Sequence, residues 1–333
     1  MNNVLKSLNL GLRESMEEDK RIIVIGEDLL DPYGGAFKVT QGLSTKFPNQ
    51  VFTTPISEGA IVGIATGMAM RGLRPIVEIM FGDFLTLAAD QIINHASKFH
   101  WVFNGKVEVP IVLRTPMGGR RGYGPTHSQS LEKLFLGVPG IKIIAPNTLD
   151  NPGNLLKKTI KDNNPVLFIE HKLLYTSFLL EIKTGDLLDA EVSSNDEYYP
   201  VLRIQFTSNP KVTIATYGYN FEIVRKAALE LLYEREIETE IILFTQLNQT
   251  NLDPLIDSIK KTKKMITFEE GTVRSGWGSE IVARIQEEST NYLRTSRIGA
   301  LNLPIPNSKT LEEIILPSKD LLKEKIIEFS ENY

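Results

Sequence analysis

A chain of 333 residues, 42% hydrophobic and 23% charged, is long enough to bury two cores of ordinary size and has the make-up of a globular protein. Its net charge of -4 leaves no basic excess to attract nucleic acid or anionic lipid. Zero cysteines remove disulfides, thiolate metal sites and thiol nucleophiles, and no run approaches the roughly 20 apolar residues of a membrane span, so a cytoplasmic protein with no nucleic-acid or membrane partner is expected.

The opening text MNNVLKSLNLGLRESMEEDK puts charges among its apolar positions at helical spacing, unlike a signal or transit peptide. Short β-branched runs then recur, each followed by helical periodicity: RIIVIGED at 21–28, QVFTTPIS at 50–57, RPIVEIM at 74–80, VPIVLRT at 109–115, IKIIAP at 141–146 and PVLFIEH at 165–171. Apolar strands alternating with helices predict an α/β domain, a parallel sheet with helices on both faces, over residues 1–185. From Leu173 to Ser208 the pattern lapses into polar text such as VSSNDEYYP, which predicts a linker over 186–208. A second alternation follows: KVTIATYG, helical FEIVRKAALELLYERE, TEIILFTQL, helical DPLIDSIKKT, KMITFEEG, helical GSEIVARIQEE and LRTSRIGA. It predicts a smaller α/β domain over 209–333.

Two stretches could carry chemistry. In TPISEGAIVG, Glu58 stands between a strand and a helix, at the carboxyl end of a strand, where open α/β sheets bind ligands. Apolar neighbours would raise its pKa and leave an acid able to donate a proton; the plainer reading is an acid complementing a helix N-terminus. Gly59, Gly63 and Gly67 recur every four residues behind it, which suits close packing against a helix of the same domain or of another subunit. The second stretch runs from Arg114 to Ser130 and reads as an irregular loop after a strand. His127 there can exchange protons near neutral pH, with Ser128, Gln129 and Ser130 at hand to orient it; a solvated or capping histidine is the alternative. Arg120 and Arg121 suit either an anionic ligand or solvent. His95, His100 and His171 lack metal-ligand spacing, and no phosphate-cradling glycine motif appears.

The blocks GEDLLDPYGGAFKVTQGL, TTPISEGAIVGIATGMAMRGLRPIVEIMFGDF, DQIINHASK, YGPTHSQSLEKLF, GVPGIKIIAPNT, DNNPVLFIEHKLLY, TYGYNFEIVRKAALEL and FEEGTVRSGWGSEI, in this order, resemble the beta subunit of the thiamin-diphosphate-dependent 2-oxo acid dehydrogenase first component. That family includes the pyruvate, branched-chain 2-oxo acid and acetoin dehydrogenases. The resemblance spans nearly the whole chain. It implies a transketolase-like pyrimidine-binding domain followed by a transketolase C-terminal domain, acting in an alpha2beta2 heterotetramer with beta-beta contact. Thiamin diphosphate would be shared between subunits, alpha holding the diphosphate through magnesium and beta gripping the aminopyrimidine. By the same resemblance Glu58 bonds the pyrimidine ring nitrogen, Ile56, Met80 and Phe84 lie beside the ring, and His127 serves substrate binding and acyl transfer to a lipoyl arm. A monovalent cation, potassium, would sit on the backbone carbonyls of Ile111, Thr159, Asp162 and Asn164, placed by alignment of PIVLR and TIKDNNP. The segment FTQLNQTNLDP replaces text that usually carries an arginine, in a domain that commonly contributes to docking on a lipoylated acyltransferase core. Rival readings are a two-subunit synthase without a lipoyl partner and a non-catalytic scaffold.

Overall fold

The β-branched runs of the first half become six strands: β1 (Ile22–Gly26), β2 (Val51–Thr53), β3 (Arg74–Glu78), β4 (Val112–Met117), β5 (Lys142–Ile144) and β6 (Val166–His171). Every pairing among them is parallel, in the order β2-β1-β3-β4-β6-β5. The computed structural model describes residues 3–180, 191–195, 197–288 and 293–331. They form two units, one of residues 1–118 and 134–179, the other of 119–133 and 180–333.

Helices of the first unit are α1 (Val4–Glu18), α2 (Leu43–Lys46), α3 (Glu58–Met70), α4 (Phe99–Val102) and α5 (Pro152–Lys161). In α1 the side chain of Asn3 accepts the Lys6 N–H at 2.9 Å, and Val4, Leu8, Leu12 and Met16 recur every fourth residue on the buried side. The α5 start combines an Asn151 cap with Pro152 in its first turn. These two helices meet at Gly11 and Gly153: a Cβ on Gly11 would lie 2.6 Å from the Gly153 carbonyl oxygen, so only glycine allows the approach. Right-handed crossovers to opposite sides of β1 require helices on opposite faces of the sheet. The packing agrees, with α1 against α5 and α3 against the short turns that follow β3. Those turns, Gly82–Ala88 and Gln91–Ala96, are a 3₁₀ helix and a π-helical turn in place of the expected α-helix.

Asp31 ties the loop after β1. Its carboxylate accepts the N–H groups of Gly42 at 2.7 Å and Thr45 at 2.9 Å and the hydroxyls of Ser44 at 2.7 Å and Thr45 at 2.6 Å. These bonds, led by the Thr45 hydroxyl, hold its pKa far below the usual carboxylate range. A depressed folded pKa contributes stability at neutral pH that is lost as pH falls below the unfolded value. Asp31→Asn is therefore expected to cost about 1 to 2 kcal/mol at pH 7, the scale of a charge-assisted bond. In thermal melts the gap from wild type should close below about pH 4, where the unfolded carboxyl titrates.

The second unit holds β7 (Glu191–Ser194), β8 (Val201–Gln205), β9 (Val212–Tyr217), β10 (Thr239–Phe244), β11 (Lys264–Thr272) and β12 (Arg294–Ala300). Its helices are α6 (Asn220–Arg235), α7 (Asp253–Thr262), α8 (Trp277–Glu288), α9 (Lys309–Ile315) and α10 (Lys319–Glu331). The order is β12-β11-β9-β10-β8-β7, parallel through β10 and antiparallel at β8 and β7. Two corrections to the expected division follow. The span assigned to a linker, 186–208, carries β7 and β8, while 186–190 and position 196 lie outside the described residues. Polar edge strands escape a search for apolar runs because only part of their surface is covered. The other correction is that residues 119–133 belong to the second unit although the first resumes at Leu134.

Candidate functional site

The chain leaves β1 toward β2 on one side and β3 toward β4 on the other, so the carboxyl ends of β1 and β3 flank a topological switch point. Glu27 follows β1 directly, Met80 follows β3 by two residues, and Glu58 opens α3. Glu58 is only 6% exposed, and among the described residues no hydrogen bond or ion pair satisfies its carboxyl. Ser57 offers α3 no side-chain cap, so the acid also complements the helix dipole.

Glu27, which the sequence reading passed over, is the neighbour of Glu58. Burial first, and then the Glu58 charge, raise its pKa, against the Ser57 backbone N–H that bonds to it. Its position at the end of an apolar strand, in the text GED, was the available signal.

Around this pair the other expected pyrimidine contacts are placed unequally. Ile56 is 82% exposed, whereas Met80 is half-buried. Phe84 is also half-buried, on the 3₁₀ turn that packs against α3, with its ring edge-on to Phe81 at 5.7 Å. The glycines of α3 divide likewise. A Cβ on Gly59 would sit 3.2 Å from the Leu87 carbonyl and one on Gly63 would sit 3.0 Å from the Gln91 side chain, so these two serve packing inside the unit. Gly67 meets nothing within 4 Å.

Beside the switch point lies a buried ionic group that spans three strands. Arg114 donates to Glu78 at 2.9 Å and, through two nitrogens, to both oxygens of Glu170 at 2.7 and 2.8 Å. Tyr175 donates to Glu170 at 2.5 Å. Burial opposes the charge on Arg114, and Glu170 and Glu78 outweigh it, so its proton is held more tightly. For Glu78 burial dominates and the pKa rises, although Arg114 pulls it down. Lys172, fully buried, donates to the Gly118 carbonyl at 2.5 Å.

His127 lies in the segment 119–133 of the second unit. It is half-buried, with Nδ1 at 3.0 Å from the Thr126 hydroxyl. Its neighbour Ser128 is buried. Arg120 is taken up by Glu270 at 2.8 Å and the Pro317 carbonyl at 2.7 Å, while Arg121 is exposed beside the Tyr123 ring. Two of the other three histidines bond locally: His100 Nδ1 meets the Val107 carbonyl at 2.8 Å, and His171 Nδ1 accepts the Leu173 N–H at 3.1 Å, while His95 Nδ1 lies 3.7 Å from Asp90. Among the described residues no cluster of three or more His, Cys, Asp or Glu side chains could hold a metal ion.

Of the four residues expected to offer cation carbonyls, Thr159 lies in the last turn of α5 and Asp162 caps it, whereas Ile111 precedes β4 and Asn164 precedes β6. Thr159 O accepts the Asp162 N–H at 3.2 Å, Ile111 O accepts the Val166 N–H at 2.9 Å, and Asn164 N–H donates to the Asp162 side chain at 2.9 Å. The carbonyl end of a helix favours a cation. However, Arg74 donates to the Asp162 carbonyl at 3.2 Å and Lys142 to its carboxylate at 2.6 Å. A bound ion has to share Asp162 with two positive charges.

Comparison with known proteins gives this geometry a class. Residues 2–177 match the family model for the transketolase pyrimidine binding domain, and residues 203–321 match that for the transketolase C-terminal domain. A solved structure described as a split gene transketolase, inactive beta4 tetramer, aligns with a TM-score of 0.74 over 97% of this chain and 96% of that one, at 18% identity, a likeness of fold alone. The chain is thus a transketolase-like α/β protein. It is also 34% identical to the pyruvate dehydrogenase E1 component subunit beta of Rickettsia bellii, over 95% of this chain and 94% of the relative. With the acetoin:2,6-dichlorophenolindophenol oxidoreductase subunit beta of Cupriavidus necator it shares 33% identity over 94% of this chain and 92% of the relative. The chain belongs to the family of beta subunits of the thiamin-diphosphate-dependent 2-oxo acid dehydrogenase first component.

Proposed function

We propose that this chain acts in the cytoplasm with an alpha subunit, as an alpha2beta2 heterotetramer, in the oxidative decarboxylation of a 2-oxo acid or the cleavage of acetoin, with acyl transfer to a lipoylated acyltransferase. The observation that carries the reading is Glu58, a residue only 6% exposed at the switch point, whose carboxyl has no hydrogen-bond partner among the described residues. A carboxyl so placed has its hydrogen-bonding capacity open to a ligand. The aminopyrimidine of thiamin diphosphate offers a ring nitrogen suited to that bond. When bound, the cofactor supplies the carbanion chemistry of decarboxylation. Glu58 would hold and exchange a proton at the pyrimidine nitrogen, while Ile56, Met80 and Phe84 would cover the ring and keep water from it. The diphosphate and its magnesium fall to the alpha subunit. A potassium ion on the carbonyls of Ile111, Thr159, Asp162 and Asn164 extends the same reading, supported by the position of Thr159 and Asp162 at the carboxyl end of α5.

His127 would bind substrate and move a proton during acyl transfer. In enzyme reconstituted with the alpha subunit, His127→Ala is expected to slow acyl transfer to lipoamide by about 10²-fold or more, the scale of a lost general acid or base. Thiamin diphosphate affinity, read by calorimetry on the same preparation, should stay within a few-fold of wild type, as expected when a group acts on the chemical step alone. Equal loss of both quantities would contradict this role. Turnover that needs no acyltransferase would favour the two-subunit synthase.

A further inference from the structure

The segment that carries His127 is fastened to the second unit by buried carboxyl groups. Its Gly119 N–H and Arg120 guanidinium bond to Glu270 on β11, at 2.7 and 2.8 Å, and its Gly122 N–H bonds to Glu312 on α9 at 2.9 Å. At its far end Lys133 reaches Thr272 and, at 2.9 Å, the Arg274 carbonyl. Between these anchors, five residues after His127, Glu132 turns inward and is 1% exposed. It accepts the Tyr217 hydroxyl, at the end of β9, at 2.6 Å.

A second carboxyl faces Glu132. A Cβ built on Gly271 would stand 3.1 Å from Glu132 Oε1 and 3.9 Å from Glu269 Oε2, so the two acids flank one glycine that a larger residue would crowd. Glu269 is fully buried and accepts the N–H groups of Trp277 and Gly278, the first turn of α8, at 2.7 and 2.9 Å. It is therefore already fixed as an acceptor. Glu132 takes no part in the chemistry assigned to Glu58 or His127, and a buried carboxyl whose bonds all lead away from solvent has a mechanical use.

We propose that Glu132 is the positioning residue for His127: bonded to Tyr217 and set against Glu269 across Gly271, it fixes the segment 119–133 so that the imidazole stays where acyl transfer needs it. The inference rests on the role given to His127 above. It adds a pH dependence. Burial and then the Tyr217 bond act on Glu132 in opposite senses, and its pKa is raised. Burial foremost, with the Glu132 charge adding to it against the Gly278 and Trp277 N–H groups, pushes Glu269 up to about 8. Glu270, Lys133 and Tyr217 are the other titratable groups that act on the pair, with Arg120 answering the charge on Glu270. Free carboxyls ionise near pH 4, so the raised pKa of Glu132 means that the segment is held while this carboxyl keeps its proton and is loosened as rising pH removes it.

The test uses the enzyme reconstituted with its alpha subunit and assays acyl transfer to lipoamide, with His127→Ala as control. Glu132→Ala is expected to slow acyl transfer about 10- to 100-fold, the cost of a group displaced by an ångström or less, with thiamin diphosphate affinity within a few-fold of wild type. Tyr217→Phe should slow it several-fold in the same direction, as one lost buried bond. Glu132→Gln keeps the acceptor for Tyr217 and cannot ionise, so it should restore the neutral-pH rate and remove the decline that wild type shows as rising pH ionises this carboxyl. A Glu132→Ala enzyme as fast as wild type overturns the proposal, as does a Glu132→Gln profile superimposable on wild type. If His127→Ala slows acyl transfer and Glu132→Ala does not, only the positioning role falls. If His127→Ala leaves acyl transfer intact, the reading beneath falls, and Glu132 has nothing to position.

Discussion

Glu58→Gln, assayed with the alpha subunit at saturating substrate, is expected to lower turnover by about 10²- to 10⁴-fold, the contribution of one well-placed proton transfer. The amide fits the same space at the start of α3 and can still bond a ring nitrogen, but it cannot surrender and regain a proton. The variant therefore separates the two readings of this acid. A side chain that only complemented a helix dipole would contribute about 0.3 to 1 kcal/mol to stability and nothing to turnover. Wild-type turnover and wild-type cofactor affinity together in Glu58→Gln would end the catalytic assignment. A carboxyl at the switch point with no hydrogen-bond partner among the described residues is what makes the larger effect the expected one.

The other large effect concerns stability. Arg114→Leu removes the cation that Glu78 and Glu170 both face and leaves two carboxyls in a space with almost no exposure. Breaking a buried pair from one side costs about 3 to 5 kcal/mol, because the stranded partner keeps its desolvation penalty. That is a large fraction of the roughly 5 to 15 kcal/mol that holds a domain folded. Urea denaturation of the purified chain should show the midpoint falling with little change in slope. Replacing all three charged residues by apolar ones of matched volume should recover much of the loss, since no charge is then left uncompensated. A midpoint within error of wild type for Arg114→Leu would mean that the guanidinium contributes little to holding these strands together.

What the sequence disclosed and what it withheld divide along physical lines. Strands buried on both faces announce themselves as β-branched runs, which is why β1, β6, β9 and β10 were legible. The helix α7 spans the residues expected of DPLIDSIKKT, whose apolar positions keep helical period up to its lysine-rich end. By contrast β7 reads EVSS, mostly exposed, and its single apolar residue, Val192, makes no run. The 3₁₀ and π turns after β3 share the apolar content of an α-helix and cannot be told from one by periodicity.

Glu58 was found because it interrupts apolar text, and His127 because it follows a glycine-rich loop. Their supporting residues were not. Arg114 and Glu170 stand 56 positions apart, and Glu132 and Tyr217 stand 85 apart. No local pattern links such partners, and charged residues in strands read from sequence as solvent-facing. The residues proposed to touch a ligand carry a local signal in the sequence, whereas the buried polar groups became visible only with the fold.

The return of the chain through residues 119–133 has a consequence for how such proteins diversify. Two domains joined end to end can be exchanged by a single genetic crossover, each half arriving complete. Here a crossover near residue 180 would hand on the first half with its Gly119–Lys133 segment but without the Glu270, Glu312 and Tyr217 that it binds. The new second half would have to supply carboxylates and a hydroxyl at matching places. Inheritance of the two halves is thereby coupled: a mutation that retunes the histidine-bearing segment is judged together with the C-terminal sheet it leans on, and neither can be traded alone.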